Sequence, residues 1–299
     1  MKTQVTPIFV VGTGRSGTTV MRRLLGSHSN ITTYNHELRF IGDPGGLIDL
    51  KRAILDEWDP FLADSAVKSF ISVYSNCFSS SNPLKVILSK FFRLLQKNGV
   101  FQVGQYNGLL LSLNLESKTR SKYALNNFIN DLGVYPFKGT WIGALKYGNI
   151  PTMFHTTEID LSQFQLASRN LMDSLFANSD NDTVRYWVDD TPLNMLKADR
   201  ILEIFPNAKF VLMTRNLENV SASYQKFSWG GRDESAIIDN LKRLDNKIQK
   251  QKAILSELQI HQIELQDLSN HPSSTASKLS KFLNVKNDFD ISIVKSGKF

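Results

Sequence analysis

The stretch Ile8-Phe9-Val10-Val11-Gly12-Thr13-Gly14-Arg15-Ser16-Gly17-Thr18-Thr19 decides the fold. Its first four residues form an unbroken apolar run, the pattern of a strand covered on both faces. Three glycines follow, and then Val20, Met21, Leu24 and Leu25 recur at helical spacing until Gly26. A strand, a glycine-rich turn and a helix in that order form the setting that a phosphate-cradling loop requires. Glycine tolerates positive φ and lets the backbone approach an anion closely. The amides of Arg15 to Thr19 can then converge on one oxyanion. The helix N-terminus adds about half a positive charge. Gly14, Arg15, Ser16, Gly17, Thr18 and Thr19 are therefore the candidate anion site.

Working outward, a second strand–helix unit begins after Pro206-Asn207. Phe210, Val211, Leu212 and Met213 read as a buried strand. A helix over about 194–205 precedes it and one over about 217–227 follows. A long helix over about 233–258 carries Ile237, Leu241, Leu244, Ile248, Leu255 and Leu258 as an apolar stripe for the core, with Asp233 or Ser235 at its start. Residues 260–265 read as another strand, and Ser273 as the cap of a final helix. Strands alternating with helices at both ends predict an α/β fold: a P-loop-like, doubly wound parallel sheet flanked by helices. Residues from about 45 to 180 form a mostly helical insertion, with runs at 86–95 and 166–176. The whole, 1–299, is expected to be a single domain.

Composition narrows the function. The chain of 299 residues carries a formal net charge of +7, which favours anionic partners. Its basic residues are scattered, which argues against nucleic acid. The single cysteine, Cys77, excludes an internal disulfide and a cysteine metal cluster, and a reducing, cytoplasmic setting is the simplest context. It lies in a Ser/Asn-rich stretch without a base motif, so it reads as an ordinary cysteine. No run reaches the roughly 18 apolar residues of a transmembrane segment.

The loop departs from a nucleoside triphosphate site. Thr18 stands where such a loop has lysine, and Arg15 lies inside it. The strand at 210–213 leads into Thr214-Arg215, a cation where a magnesium-binding carboxylate is expected. A triphosphate and its metal need a heavy charge offset. A sulfuryl group in transfer carries less negative charge, so a guanidinium and amides suffice and no metal is required. An ATP-dependent small-molecule or nucleotide kinase is the alternative reading.

With these residues in view, the chain resembles the sulfotransferase superfamily, nearest to the tyrosylprotein and carbohydrate branch and its soluble bacterial relatives. The resemblance rests on two blocks. Pro7 to Ile31, with Arg-Ser-Gly-Thr-Thr at Arg15 to Thr19, is similar to the family's 5′-phosphosulfate loop. Phe205 through Arg215 to Ser223 is similar to its 3′-phosphate site. The resemblance implies 3′-phosphoadenosine 5′-phosphosulfate as co-substrate, with Arg215 and Ser223 on its ribose phosphate. An arginine fork with a hydroxyl eight residues on suits a terminal phosphate on its own terms. The resemblance also implies an acceptor hydroxyl on a glycan, a phenol or tyrosine, or a small metabolite, and a carboxylate base for in-line displacement. Glu37, in Glu37-Leu38-Arg39, fits that base, one residue later than the family's spacing, with His36 in reserve. Arg15 is the candidate for stabilising charge on the transferred group. Asp190 stands where relatives carry a lysine before Thr-Pro, so Arg15 or Lys146 takes on that role, while Asp190 binds acceptor or caps the helix behind it. Leu265 replaces an expected tyrosine, and 295–299 resemble the start of a basic loop. Phe101, Tyr106, Tyr135, Trp141 and Tyr147 of the insertion are candidates to line an acceptor pocket, or else core. A homodimer is possible on the long helix.

Overall fold

The computed structural model describes residues 5–78, 115–139, 152–176, 183–227 and 231–295. The expected helix at 86–95, the aromatic residues Phe101, Tyr106, Trp141 and Tyr147, the cation Lys146 and the tail at 296–299 lie outside them.

Five strands make the central sheet: β1 (Thr6–Gly12), β2 (Ile31–Thr33), β5 (Tyr186–Asp189), β6 (Lys209–Thr214) and β7 (Ile260–Glu264). Their order is β2-β5-β1-β6-β7, and every pairing is parallel. β1 is central because each of its middle residues is fully buried, as the apolar run demands. Successive side chains alternate between two cores. Phe9, Val11, Trp187, Phe210 and Leu212 point into one, and Ile8, Val10, Val188, Val211 and Met213 into the other. Phe9 stacks on Phe210 at 5.5 Å and meets the edge of Trp187, so three adjacent strands lock through one aromatic cluster.

Helix α1 (Thr18–Leu25) covers the second core with α10 (Pro272–Leu283), behind the short α9 (Leu265–Asn270). The first core is covered by α3 (Pro60–Phe78), α4 (Leu115–Asp131), α5 (Leu161–Phe176) and α6 (Ala198–Ile204). Helices on both faces of a parallel sheet are the doubly wound arrangement that the sequence predicts. The remaining helices are α2 (Leu47–Lys51), which runs into a π-helical turn at Arg52–Asp56, α7 (Leu217–Gln225), α8 (Glu234–Lys252) and α11 (Ser292–Lys295).

Several boundaries differ from expectation. The insertion also contains an antiparallel pair, β3 (Val134–Lys138) with β4 (Thr152–Thr156). Pro136 and the largely exposed face of β3 hide it from a pattern reading. The helix expected over 194–205 begins as a 3₁₀ turn, Pro192–Lys197, before α6. α8 is capped by Asp233, whose carboxylate accepts the Ala236 amide at 3.1 Å. It ends at Lys252, short of Leu258, which is 80% exposed. The stripe is core only in part: Leu241 and Ile248 are buried. The final long helix starts at Pro272 rather than being capped by Ser273. Proline at the first turn loses an amide that has no helical partner anyway.

Candidate functional site

The carboxyl ends of β1, β5 and β6 open on one side of the sheet, where ligands bind in open α/β folds. A cleft of about 350 Å³ lies there. It is lined by Thr13 to Arg15 and Gly17 to Thr19 of the first loop, by Arg215 and Tyr224, and by Glu37, Arg39 and Asp43. Thr191, Pro192 and Leu193 close the far wall.

The loop adopts the geometry its glycines permit. Gly14 and Gly17 hold φ of 78° and 99°, and Arg15 is left-handed at 53°. At Gly14 a Cβ would lie 2.9 Å from the Tyr224 hydroxyl, and at Gly17 2.7 Å from Leu265 Cδ1, so neither position accepts a side chain without movement. Gly17 occupies the N-cap of α1 and offers no side-chain acceptor, and the first turn carries no acidic residue. The first-turn amides therefore keep their donor capacity toward the cleft. Ser16 is fully buried, and its Oγ has no hydrogen-bond partner among the described residues. Ser16 does not line the cleft: its Oγ lies beside Gly12, where an added Cβ would come within 2.4 Å of it.

The two distant sequence blocks meet directly. Arg215 Nη1 donates to the Arg15 carbonyl at 3.1 Å, across 200 residues. Arg15 Nε donates to Ser223 Oγ at 3.1 Å, and its guanidinium lies 4.6 Å from the centre of the Phe227 ring. Tyr224 donates to the Thr13 carbonyl at 2.9 Å. Asn216 caps α7 by accepting the amides of Glu218 and Asn219, which fixes the helix that carries Ser223 and Tyr224. Arg215 and Leu265 also border a neighbouring hollow of about 290 Å³ with Asn216, Asn219, Glu264, Gln266 and Ser269. Leu265, standing in place of the expected tyrosine, thus separates the two spaces.

The two base candidates part company. Glu37 lines the cleft, 3.5 Å from Arg39 Nη1, and Arg39 Nε also pairs with Asp43. His36 instead packs against the rings of Tyr34 and Phe78 at 5.4 and 5.9 Å. Burial, aided by the Arg22 charge, lowers its pKa to about 4, and its Nε2 is buried without a partner among the described residues. Its neutral ring belongs to an aromatic cluster.

Asp190 neither lines the cleft nor caps the turn behind it, whose N-cap is Thr191. Its Oδ2 sits 3.1 Å from Arg22 Nε, and both side chains are buried. Burial pushes the carboxyl's pKa up and the guanidinium opposes that shift. Of the described residues between 45 and 180, none lines the cleft. Tyr135 is 57% exposed on β3. Burial raises the pKa of the Cys77 thiol to about 11, fitting an inert cysteine. No helix among the described residues is long and apolar enough to cross a membrane.

Sequence reasoning missed Tyr224, Asp43 and Leu193 as cleft residues. Tyr224 was within reach, being the neighbour of Ser223 at the inward edge of α7. Asp43 belongs to an irregular segment and Leu193 to a short 3₁₀ turn, neither of which periodicity reveals.

The profile of the sulfotransferase family matches residues 7–56 and 144–290, well over half of the chain. No curated protein sequence matches. Among solved structures, the chain is similar to the sulfotransferase domain from the curacin biosynthetic pathway, with 15% identity, a TM-score of 0.50, and coverage of 99% of this chain and 79% of that one. It is likewise similar to the sulfotransferase domain of the Synechococcus PCC 7002 olefin synthase, with 15% identity, a TM-score of 0.50, and coverage of 97% and 77%.

Proposed function

Because the chain belongs to the sulfotransferase family, enzymes of sulfuryl transfer, we propose that its donor is 3′-phosphoadenosine 5′-phosphosulfate and its acceptor a hydroxyl, deprotonated by Glu37. One observation supports this reading: Arg215 donates to the Arg15 carbonyl and Arg15 to Ser223 Oγ, so the two distant blocks touch, and Arg215 lines the cleft with the loop. A single ligand with an anion at each end fits such a cleft.

The roles follow from residue chemistry. The amides of residues 15–19, with the hydroxyls of Thr18 and Thr19, hold the 5′ end of the donor. Arg215 and Ser223 take the ribose phosphate. Ser223 accepts from Arg15 and still has its own proton to donate. Glu37 takes the acceptor proton as the acceptor oxygen bonds to sulfur and the sulfur–oxygen bond to the phosphate breaks. The nucleoside bisphosphate leaves with that electron pair, and Arg15 offsets the charge that builds on it. Leu193, 47% exposed, and Pro192 offer the acceptor an apolar surface in the same cleft as Glu37. Residues 1–299 act as one domain.

Thermal shift tests the donor. Adenosine 3′,5′-bisphosphate without metal is expected to raise the melting temperature, and ATP with magnesium is not. The reverse result overturns the reading. Incubation with radiolabelled donor and a panel of glycan, phenol and small-metabolite hydroxyls then identifies the acceptor.

A further inference from the structure

The segment 37–43 contributes Glu37, Arg39 and Asp43 to the cleft, yet it belongs to neither a helix nor a strand. Its position is set from outside. Asp189, at the end of β5 and 1% exposed, accepts the Leu38 amide on Oδ1 at 2.7 Å. The same oxygen accepts the Thr191 hydroxyl at 3.0 Å, and Oδ2 accepts the Asn194 amide nitrogen at 2.7 Å. A second fastening lies four residues on. Lys197 Nζ donates to the Gly42 carbonyl, and a Cβ on Gly42 would lie 2.1 Å from Asn194 Oδ1. The segment is thus pinned at 38 and 42 to the end of β5 and the 3₁₀ turn that follows it.

We propose that Asp189 is a positioning residue for catalysis, fixing Glu37 through the amide of Leu38. The proposal rests on Glu37 being the base. Three donors converge on Asp189, and an ionised carboxylate, an acceptor at both oxygens, suits all three. Asparagine presents an N–H₂ where one of them stands. Keeping a carboxyl buried there is costly. Burial, with Asp190 and Glu37 nearby, raises its pKa to about 7 while the Leu38 and Thr191 bonds oppose the shift. What it yields is a fixed base, and a displacement of about 1 Å costs about a hundredfold in rate.

The test is Asp189→Asn in the full chain, followed with radiolabelled donor and whichever hydroxyl the wild type sulfates, or by sulfate release to water. Turnover is expected to fall about tenfold or more, with the affinity for adenosine 3′,5′-bisphosphate and the donor KM unchanged. Unchanged turnover overturns the proposal, and so does a parallel loss of donor affinity, which marks general loosening. Should the variant fail to fold, Asn194→Ala carries the test, with a smaller loss of turnover expected and an undiminished rate overturning the idea. Full turnover in Glu37→Gln defeats the underlying assignment of the base. An inactive Glu37→Gln beside a normal Asp189→Asn defeats the positioning role alone.

Discussion

The two walls of the cleft are built differently. The wall of β1, α1, β6 and α7 is made of regular elements whose ends point at the cleft, and its cations lie on short sequence motifs. The wall of 37–43 is irregular backbone, fastened to the end of β5 and the 3₁₀ turn by the side chains of Asp189 and Lys197, about 150 positions away. The first wall follows from local rules of strand, turn and helix. The second exists only once the tertiary fold brings its donors and acceptors together. The Arg22–Asp190 pair joins them, since Arg22 lies on α1 and Asp190 follows β5, and Arg22 Nη1 also donates to the Tyr34 carbonyl.

Cutting that joint has the largest expected effect. Arg22→Met leaves the Asp190 carboxyl buried without its cation, and breaking a buried pair from one side costs about 3–5 kcal/mol. Denaturant unfolding measures it. Adding Asp190→Asn to Arg22→Met is expected to restore most of the loss, because no unpaired charge remains. If the single variant loses less than the double, the pair is not what ties the walls. Next comes the second wall's own chemistry. Glu37→Gln is expected to cut turnover by about a hundredfold or more while leaving the affinity for adenosine 3′,5′-bisphosphate intact. That split between rate and affinity separates the walls by function as well as by construction.

Legibility divides along the same line. Pro7 to Thr19 and Phe205 to Ser223 announced their elements, because an apolar run, a glycine turn and helical spacing are local signals, and the structure keeps both units. The role of Asp189 was hidden, since Trp187-Val188-Asp189-Asp190 reads only as a strand ending in two acids. Strand alternation does separate them after the fact. Asp189 shares a face with Trp187, in the core of α3 and α5, whereas Asp190 shares the face of Val188 and Met21 and meets α1. To use that rule in advance, one must already know which face each core covers. The β3–β4 pair was missed for a related reason: one strand contains proline and shows no alternation of burial.

The first wall yields the two smaller predictions. Arg215→Ala removes charge-assisted bonds and is expected to weaken adenosine 3′,5′-bisphosphate binding by about 2 kcal/mol, roughly thirtyfold. Titration calorimetry reads it, and an unchanged affinity strikes the arginine from the site. Ser223→Ala is subtler. Its hydroxyl accepts from Arg15 and, in the proposed complex, donates to the ribose phosphate, so its removal forfeits one neutral donor and frees the Arg15 guanidinium from an anchor. The Phe227 ring then still holds it. The expected loss is about 1 kcal/mol, a few-fold in affinity. Its signature lies in the combination with Arg215→Ala. In the proposed complex both residues serve the same phosphate, and both touch Arg15, so their losses are expected to be coupled and the double variant to lose less or more than the sum. Strict additivity places them in separate sites and breaks the picture of a wall built as one unit from two motifs.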